Sequence, residues 1–226
     1  SVLAAGDAAG AEQALRAALG AGVRRPQALW DLWIAVCLSR LGRTPAQIIA
    51  TYPSFDVEAG PAAGDAAWVM EQLAAGAAIR INCGGRDCTG ADGKAWSGDR
   101  CCREGRMFWP QISPADGEGI EDLPLYATQR LSWQPPGGPL YVIPLPPGRY
   151  RVTLHFAEFV HGVSLPGERR FDVFLEGAPV LEDYSPPSRK PERHTFEVSV
   201  EDGLLDIGYA PGSAGLPMLS AFEIER

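Results

Sequence analysis

Histidine is scarce in this chain, three in 226 residues, and methionine is no commoner at three. Neither residue can therefore carry an extended functional motif. No run of about 20 apolar residues occurs, so the sequence offers no candidate for a membrane-spanning helix and no membrane insertion is expected. Positive charge is also short. Twenty lysines and arginines face 28 acidic residues, a formal net charge of -8, which argues against a protein that lives on phosphate contacts and against nucleic acid as a partner. The G-x-S-x-G elbow, the H-E-x-x-H zinc motif and the G-x-x-x-x-G-K-[ST] phosphate loop are all missing. The chain opens Ser1-Val2-Leu3 without methionine and without a basic segment leading into an apolar one. It reads as an excised or processed fragment with no visible signal peptide. The compartment stays open, with an extracellular or cell-envelope setting slightly favoured.

What is present is ordinary in bulk and uneven in distribution. Hydrophobic residues make up 46% and charged residues 21%, close to globular averages, and the length suits one domain or two. Glycine (26) and proline (20) are frequent for a helical protein, and they concentrate beyond residue 82. That concentration indicates turns and short strands in the later part.

Residues 8 to 78 read as helical. Ala14, Leu15, Ala18 and Leu19 share one stripe that Gly20 and Gly22 end, and a second helix opens at Pro26 and runs through Trp30, Trp33, Cys37 and Leu41. Thr44-Pro45 starts a short helix through Ile48 and Ile49, and Asp65 is placed to cap a last one from Ala66 to Ala75. After Ala78 the period becomes two. Leu140–Leu145, Arg149–Phe156, Arg170–Leu175, His194–Val200, Leu204–Tyr209 and Met218–Glu225 are strand candidates separated by turn clusters. Tyr150, Val152, Leu154 and Phe156 fall on one face, and Leu204–Tyr209 is the expected hairpin partner of His194–Val200. Strands without intervening helices specify an antiparallel β-sandwich or jelly roll, preceded by a small helical region. The expected domains are 1–78 and 79–226.

Four of the five cysteines, Cys83, Cys88, Cys101 and Cys102, lie within twenty residues. The adjacent Cys101-Cys102 pair is poor geometry for two thiolates on one tetrahedral zinc, and no C-x-x-C knuckle exists. A disulfide from Cys88 to Cys101 or Cys102 and free thiols both suit the spacing. His155 alternates opposite the apolar face of its strand and reads as a surface or second-layer residue. His161, in a glycine-containing loop, is the better site candidate. The carboxylates are numerous but show no arrangement that asks for acid–base work on a glycosidic bond. Aromatics do gather near strand ends and loops: Trp96, Phe108, Trp109, Trp133, Phe159 and Tyr184. Such rings either cap a core or offer platforms for the apolar C–H face of a sugar.

From Ile79 onward the order of segments resembles a malectin or malectin-like domain. Ile79-Arg80-Ile81-Asn82-Cys83-Gly84-Gly85, then Asp92-Gly93, Trp96 and Asp99, are similar to that family's first strand and loop. Leu125-Tyr126-Ala127-Thr128-Gln129-Arg130 resembles its LYxTxR signature. Tyr141-Val142-Ile143-Pro144, Pro147-Gly148-Arg149-Tyr150-Arg151-Val152 and Leu154-His155-Phe156-Ala157-Glu158 resemble its YxIPxPxGxYxVxLHFAE stretch. Arg170-Phe171-Asp172-Val173, Asp202-Gly203-Leu204-Leu205 and Leu219-Ser220-Ala221-Phe222-Glu223-Ile224 complete the series. The resemblance implies a carbohydrate-binding β-sandwich that holds glucose-containing oligosaccharides with loop aromatics and a C-terminal aspartate, without catalysis and without a cofactor or metal. Where animal members place a tyrosine after the LYxTxR stretch, this chain has Leu131, with Trp133 nearby. Val160 and His161, preceded by Phe159, stand where an aromatic pair is expected, and Gly215 where the aspartate is expected.

The expectation is a non-catalytic carbohydrate-binding module within a larger bacterial-type protein. Phe108, Trp109, Trp133 and Phe159 would supply rings, and Arg130, Glu158 and His161 hydrogen bonds, to an oligosaccharide partner. The alternative is a protein-interaction module that has lost sugar binding and recruits its partner through the helices. A glycoside hydrolase fragment is the third reading.

Overall fold

The computed structural model describes residues 63–103, 105–132, 139–160, 167–201 and 203–226. The helices expected through Trp30, Trp33 and Ile48 lie outside the described residues, as do Trp133 and His161. The described chain opens with helix α1 (Ala63–Ala74), strand β1 (Ile79–Asn82) and the short strands β2 (Cys88–Thr89), β3 (Ala95–Trp96) and β4 (Arg106–Phe108). One-turn helices α2 (Pro114–Gly117) and α3 (Leu123–Tyr126) precede β5 (Gln129–Leu131). Longer strands follow: β6 (Pro139–Pro144), β7 (Gly148–Phe156), β8 (Arg170–Leu175), β9 (Ala178–Tyr184), β10 (Glu192–Val200) and β11 (Leu204–Ala214). The chain ends in β12 (Met218–Leu219) and β13 (Ala221–Glu225).

Two four-stranded antiparallel sheets, ordered β1-β13-β7-β10 and β6-β11-β8-β9, face each other. Period-two alternation sends Tyr150, Val152, Leu154 and Phe156 inward against Phe171, Val173 and Leu175 and against Leu205, Ile207 and Tyr209. Tyr184 closes one end of this core, its ring 4.9 Å from Phe156 and 5.6 Å from Phe171 in edge-on contact.

The expected hairpin between His194–Val200 and Leu204–Tyr209 is corrected by the pairing. β10 pairs with β7, whereas β11 pairs with β6 and β8, so the turn around Gly203 carries the chain from one sheet to the other. Sequence adjacency and a turn signal look the same in a hairpin and in a sandwich corner. Met218–Glu225 is likewise not one strand, because Ser220 donates its N–H to His155 O and separates β12 from β13.

Helix α1 starts earlier than the cap at Asp65 predicts. Asp65 lies in its first turn and instead accepts the Cys101 N–H at 2.9 Å. Val69 is fully buried in the sandwich core, and the Arg100 guanidinium lies 4.4 Å from the Trp68 ring centroid. The helix is thus packed on the same core as the strands.

A third layer covers part of the outer face of the first sheet. Trp96, Leu125, Tyr126, Ala157, Phe159 and Ala221 form a separate buried cluster there. His155, which alternation points away from the sandwich core, is enclosed by this layer and is only 2% exposed. Among the described residues no helix is long and apolar enough to cross a membrane.

Candidate functional site

The candidate site is built on the small sheet β12-β5-β4, in which β4 is an outer strand. Register pairs Arg106 with Leu131, Met107 with Arg130 and Phe108 with Gln129. Leu131 is buried in the sandwich core, and Phe108 packs against that core half-buried. Trp109, one residue past the strand, is 59% exposed, and Met107 is 43% exposed. They are the two exposed large hydrophobic side chains among the described residues. A tryptophan left in water keeps an apolar face unburied, which an incoming ligand can cover.

Two glycines let other segments close on β5. Gly84 adopts φ +70°, and a Cβ there would lie 2.6 Å from Gln129 O. Gly105, at φ +90°, would place its Cβ 2.5 Å from Leu131 O. Any side chain at either position would therefore push a strand aside.

Arg130 does not present a free guanidinium. Its Nη2 is ion-paired with Asp99, and its Nη1 donates to Gly105 O at 3.2 Å. Asp99 in turn accepts the Tyr141 hydroxyl at 2.7 Å. Burial lifts the Asp99 carboxyl above its ordinary range, while Arg130, Tyr141 and the Gly84 N–H pull it back. Burial works against the Arg130 guanidinium, and the Asp99 charge more than restores it, so the Arg130 pKa is raised.

Glu158 is equally committed. It is 2% exposed, ion-paired with Arg169 through Oε2, and accepts the Val160 N–H at 2.8 Å through Oε1. Arg169 also donates to Leu216 O, and the Glu158 carbonyl accepts the Arg189 N–H. The Glu158–Arg169 pair and the Glu158 carbonyl thus tie together segments around residues 158–160, 169, 189 and 216. Phe159 is 3% exposed inside the outer-face cluster, so its ring has no face open to a ligand. In this structure Arg130 and Glu158 are thus each held in an ion pair, and Phe159 is enclosed in the outer-face cluster.

Gly215, at φ +67°, packs against the Glu168 and Arg169 backbone where a carboxylate was expected from the family pattern. Cys83, Cys88, Cys101 and Cys102 are not joined by disulfides, and burial pushes the Cys83 and Cys101 thiols up. Among the described residues no group of three or more potential ligands is arranged to hold a metal. Sequence reasoning passed over Met107 and Asp99 as site parts. The alternation of Met107 and Trp109 around half-buried Phe108 was the available signal for the first, and nothing local signals the second.

The family model described as the malectin domain matches residues 77–221. A search of the curated proteins finds no match. Among solved structures, a Bacteroides uniformis β-glucuronidase is similar at a TM-score of 0.56 and 19% identity, over 67% of this chain and 18% of that one. The plant receptor-like kinase FER is similar at a TM-score of 0.54 and 21% identity, over 65% of this chain and 41% of that one. The ANX2 ectodomain from Arabidopsis thaliana is similar at a TM-score of 0.51 and 18% identity, over 65% of this chain and 48% of that one. At these identities the likeness is one of fold. The chain spans less than half of each of these proteins.

Proposed function

Because this chain belongs to the malectin domain family, we propose that its sandwich is a non-catalytic module that binds a glucose-containing oligosaccharide on the Trp109 face of β4. The observation that carries the reading is the exposure of Trp109 beside Met107 on a rigidly backed outer strand. Sugar rings stack on such a surface through their C–H faces, while nearby backbone and side-chain polar groups take the hydroxyls. The Asp99 and Glu158 carboxylates are each ion-paired, which supports binding without hydrolysis. Phe108, Trp133 and His161 remain proposed contributors to the same site.

Titration of the full chain with α- and β-linked glucose disaccharides should show millimolar or tighter binding. Trp109→Ala should weaken it by about 1 to 3 kcal/mol, the scale of uncovering one large side chain. The reading fails if no saccharide binds at millimolar concentration, or if Trp109→Ala binds as well as the parent.

A second reading is favoured by Met107. Two exposed apolar side chains, Met107 on an outer strand and Trp109 just past it, also suit a polypeptide partner, and one structure of similar fold is FER in complex with the peptide RALF23 and LLG2. A peptide library captured through Trp109 and Met107, in a protein silent to sugars, would select this reading.

A further inference from the structure

The Arg130 guanidinium is held by Asp99 and by the carbonyl of Gly105, the residue that leads into β4 and so to Trp109. The inference rests on the reading above for what Trp109 binds, although its geometry stands alone. We infer that Arg130 is a positioning residue, which sets the placement of Trp109 through the backbone of β4 and makes no contact with ligand.

A chain of hydrogen bonds runs from the sandwich to the start of β4. Asp99 sits on a segment fixed to the sandwich: its N–H donates to Gly85 O at 3.1 Å, and two residues on Cys101 O accepts the Val142 N–H at 3.0 Å. The Asp99 carboxylate is therefore an anchored acceptor. Tyr141, fully buried on β6, holds one of its oxygens at 2.7 Å. Arg130 Nη2 takes the other, and Nη1 then reaches Gly105 O. Gly105 leads directly into Arg106–Phe108, and Trp109 follows that strand.

Two further constraints make this bond consequential. β4 has only three residues and pairs on one side alone, with β5. A strand so short has few ladder bonds to hold it. Gly105 also approaches Leu131 O so closely that a side chain cannot fit, so the guanidinium closes a contact that backbone packing has already drawn tight. Removing it frees the start of β4 while leaving the sandwich core untouched. A planar guanidinium can serve Asp99 and Gly105 O together; an ammonium is a single point charge.

The test uses the full chain labelled with 5-fluorotryptophan, with the Trp109 and Trp96 lines assigned from Trp109→Phe and Trp96→Phe. Arg130→Gln should shift or broaden the Trp109 line, leave the buried Trp96 line in place and weaken disaccharide binding about tenfold. Arg130→Lys should keep the Trp109 line displaced despite restoring the charge opposite Asp99. An unmoved Trp109 line in folded Arg130→Gln overturns the inference. Weakened binding with that line unmoved also overturns it, because Arg130 would then touch the sugar itself. Should Arg130→Gln lose the Trp96 line as well, Arg130→Lys decides: a displaced Trp109 line with Trp96 in place supports the inference and an undisturbed Trp109 line overturns it. Absence of saccharide binding by the parent sinks the functional reading alone, since the fluorine lines report on β4 without ligand.

Discussion

Glu158→Gln is expected to lower the unfolding free energy by about 3 to 5 kcal/mol, read from urea midpoints at neutral pH. Glu158 offers two acceptor oxygens, and both are used: one by the Arg169 Nε–H and one by the Val160 N–H. A glutamine has one acceptor and one amide donor. Whichever way it turns, an N–H meets an N–H, and the Arg169 guanidinium is left charged, 5% exposed and without its counter-ion. Arg169→Met should be similarly costly, because it strands the Glu158 carboxylate. The double variant Glu158→Gln, Arg169→Met should cost clearly less than the two single losses added together. That shortfall is the coupling between them. Additive losses in the cycle would show that the two side chains stabilise the loops independently, and the clamp would have to be abandoned.

This clamp shows where a sequence reading stops. Strands with one buried face announce themselves: Tyr150, Val152, Leu154 and Phe156 alternate cleanly, and they do point into the core. Glu158 carries no such mark. Its partner, Arg169, lies eleven residues away in the sequence, and Asp99 lies 31 residues from Arg130. A polar residue near a strand end looks the same whether it meets solvent, a ligand or a distant buried charge. Phe159 misleads for another reason. The outer face of a sandwich sheet is expected to be wet, but the segment carrying α2 and α3 covers it and creates a second apolar cluster. Only the contact between Phe159 and residues such as Leu125, more than thirty positions earlier, reveals that layer.

Trp109 stands out in the structure because it is large, apolar and exposed. A tryptophan after a short strand, before Pro110, has no helical or strand periodicity to draw it inward. The structure adds what surrounds it. Asp99, Tyr141 and Gly105 are unremarkable in the sequence, and they become a frame for β4 only when β5 and β6 bring them together. The proposed recognition surface is therefore local in the sequence, while the hydrogen bonds behind it are assembled from long-range contacts.

His155 is the second place where burial should be measurable from outside. Its Nδ1 lies 3.1 Å from the Tyr126 hydroxyl, its ring meets Trp96 edge to face at 5.2 Å, and its Nε2 is buried without a hydrogen-bond partner among the described residues. Burial, and then the Arg193 charge, hold its pKa down at about 4; Lys94 acts in the same direction and Asp122 opposes them. In the unfolded chain the imidazole titrates near 6.5. Between these values the unfolded state binds the proton that the folded state refuses, so stability is complete above about pH 6.5 and falls as the pH drops toward 4. The shift corresponds to about 3 kcal/mol at pH 4. Asp99 works in the opposite sense, because a raised carboxyl takes its proton more readily in the folded protein. The parent's pH profile is therefore a sum of opposing contributions, and the comparison must be made by difference. His155→Gln keeps a polar side chain beside Tyr126 but cannot titrate. It should be less stable than the parent at pH 7, and the gap should narrow by about 3 kcal/mol by pH 4 as the parent alone loses the contribution of a neutral imidazole. Urea midpoints for both proteins at constant ionic strength across pH 4 to 7 measure this. Parallel pH profiles for the two would mean that His155 is protonated as easily in the folded protein as in the unfolded chain, and that the layer over it admits water.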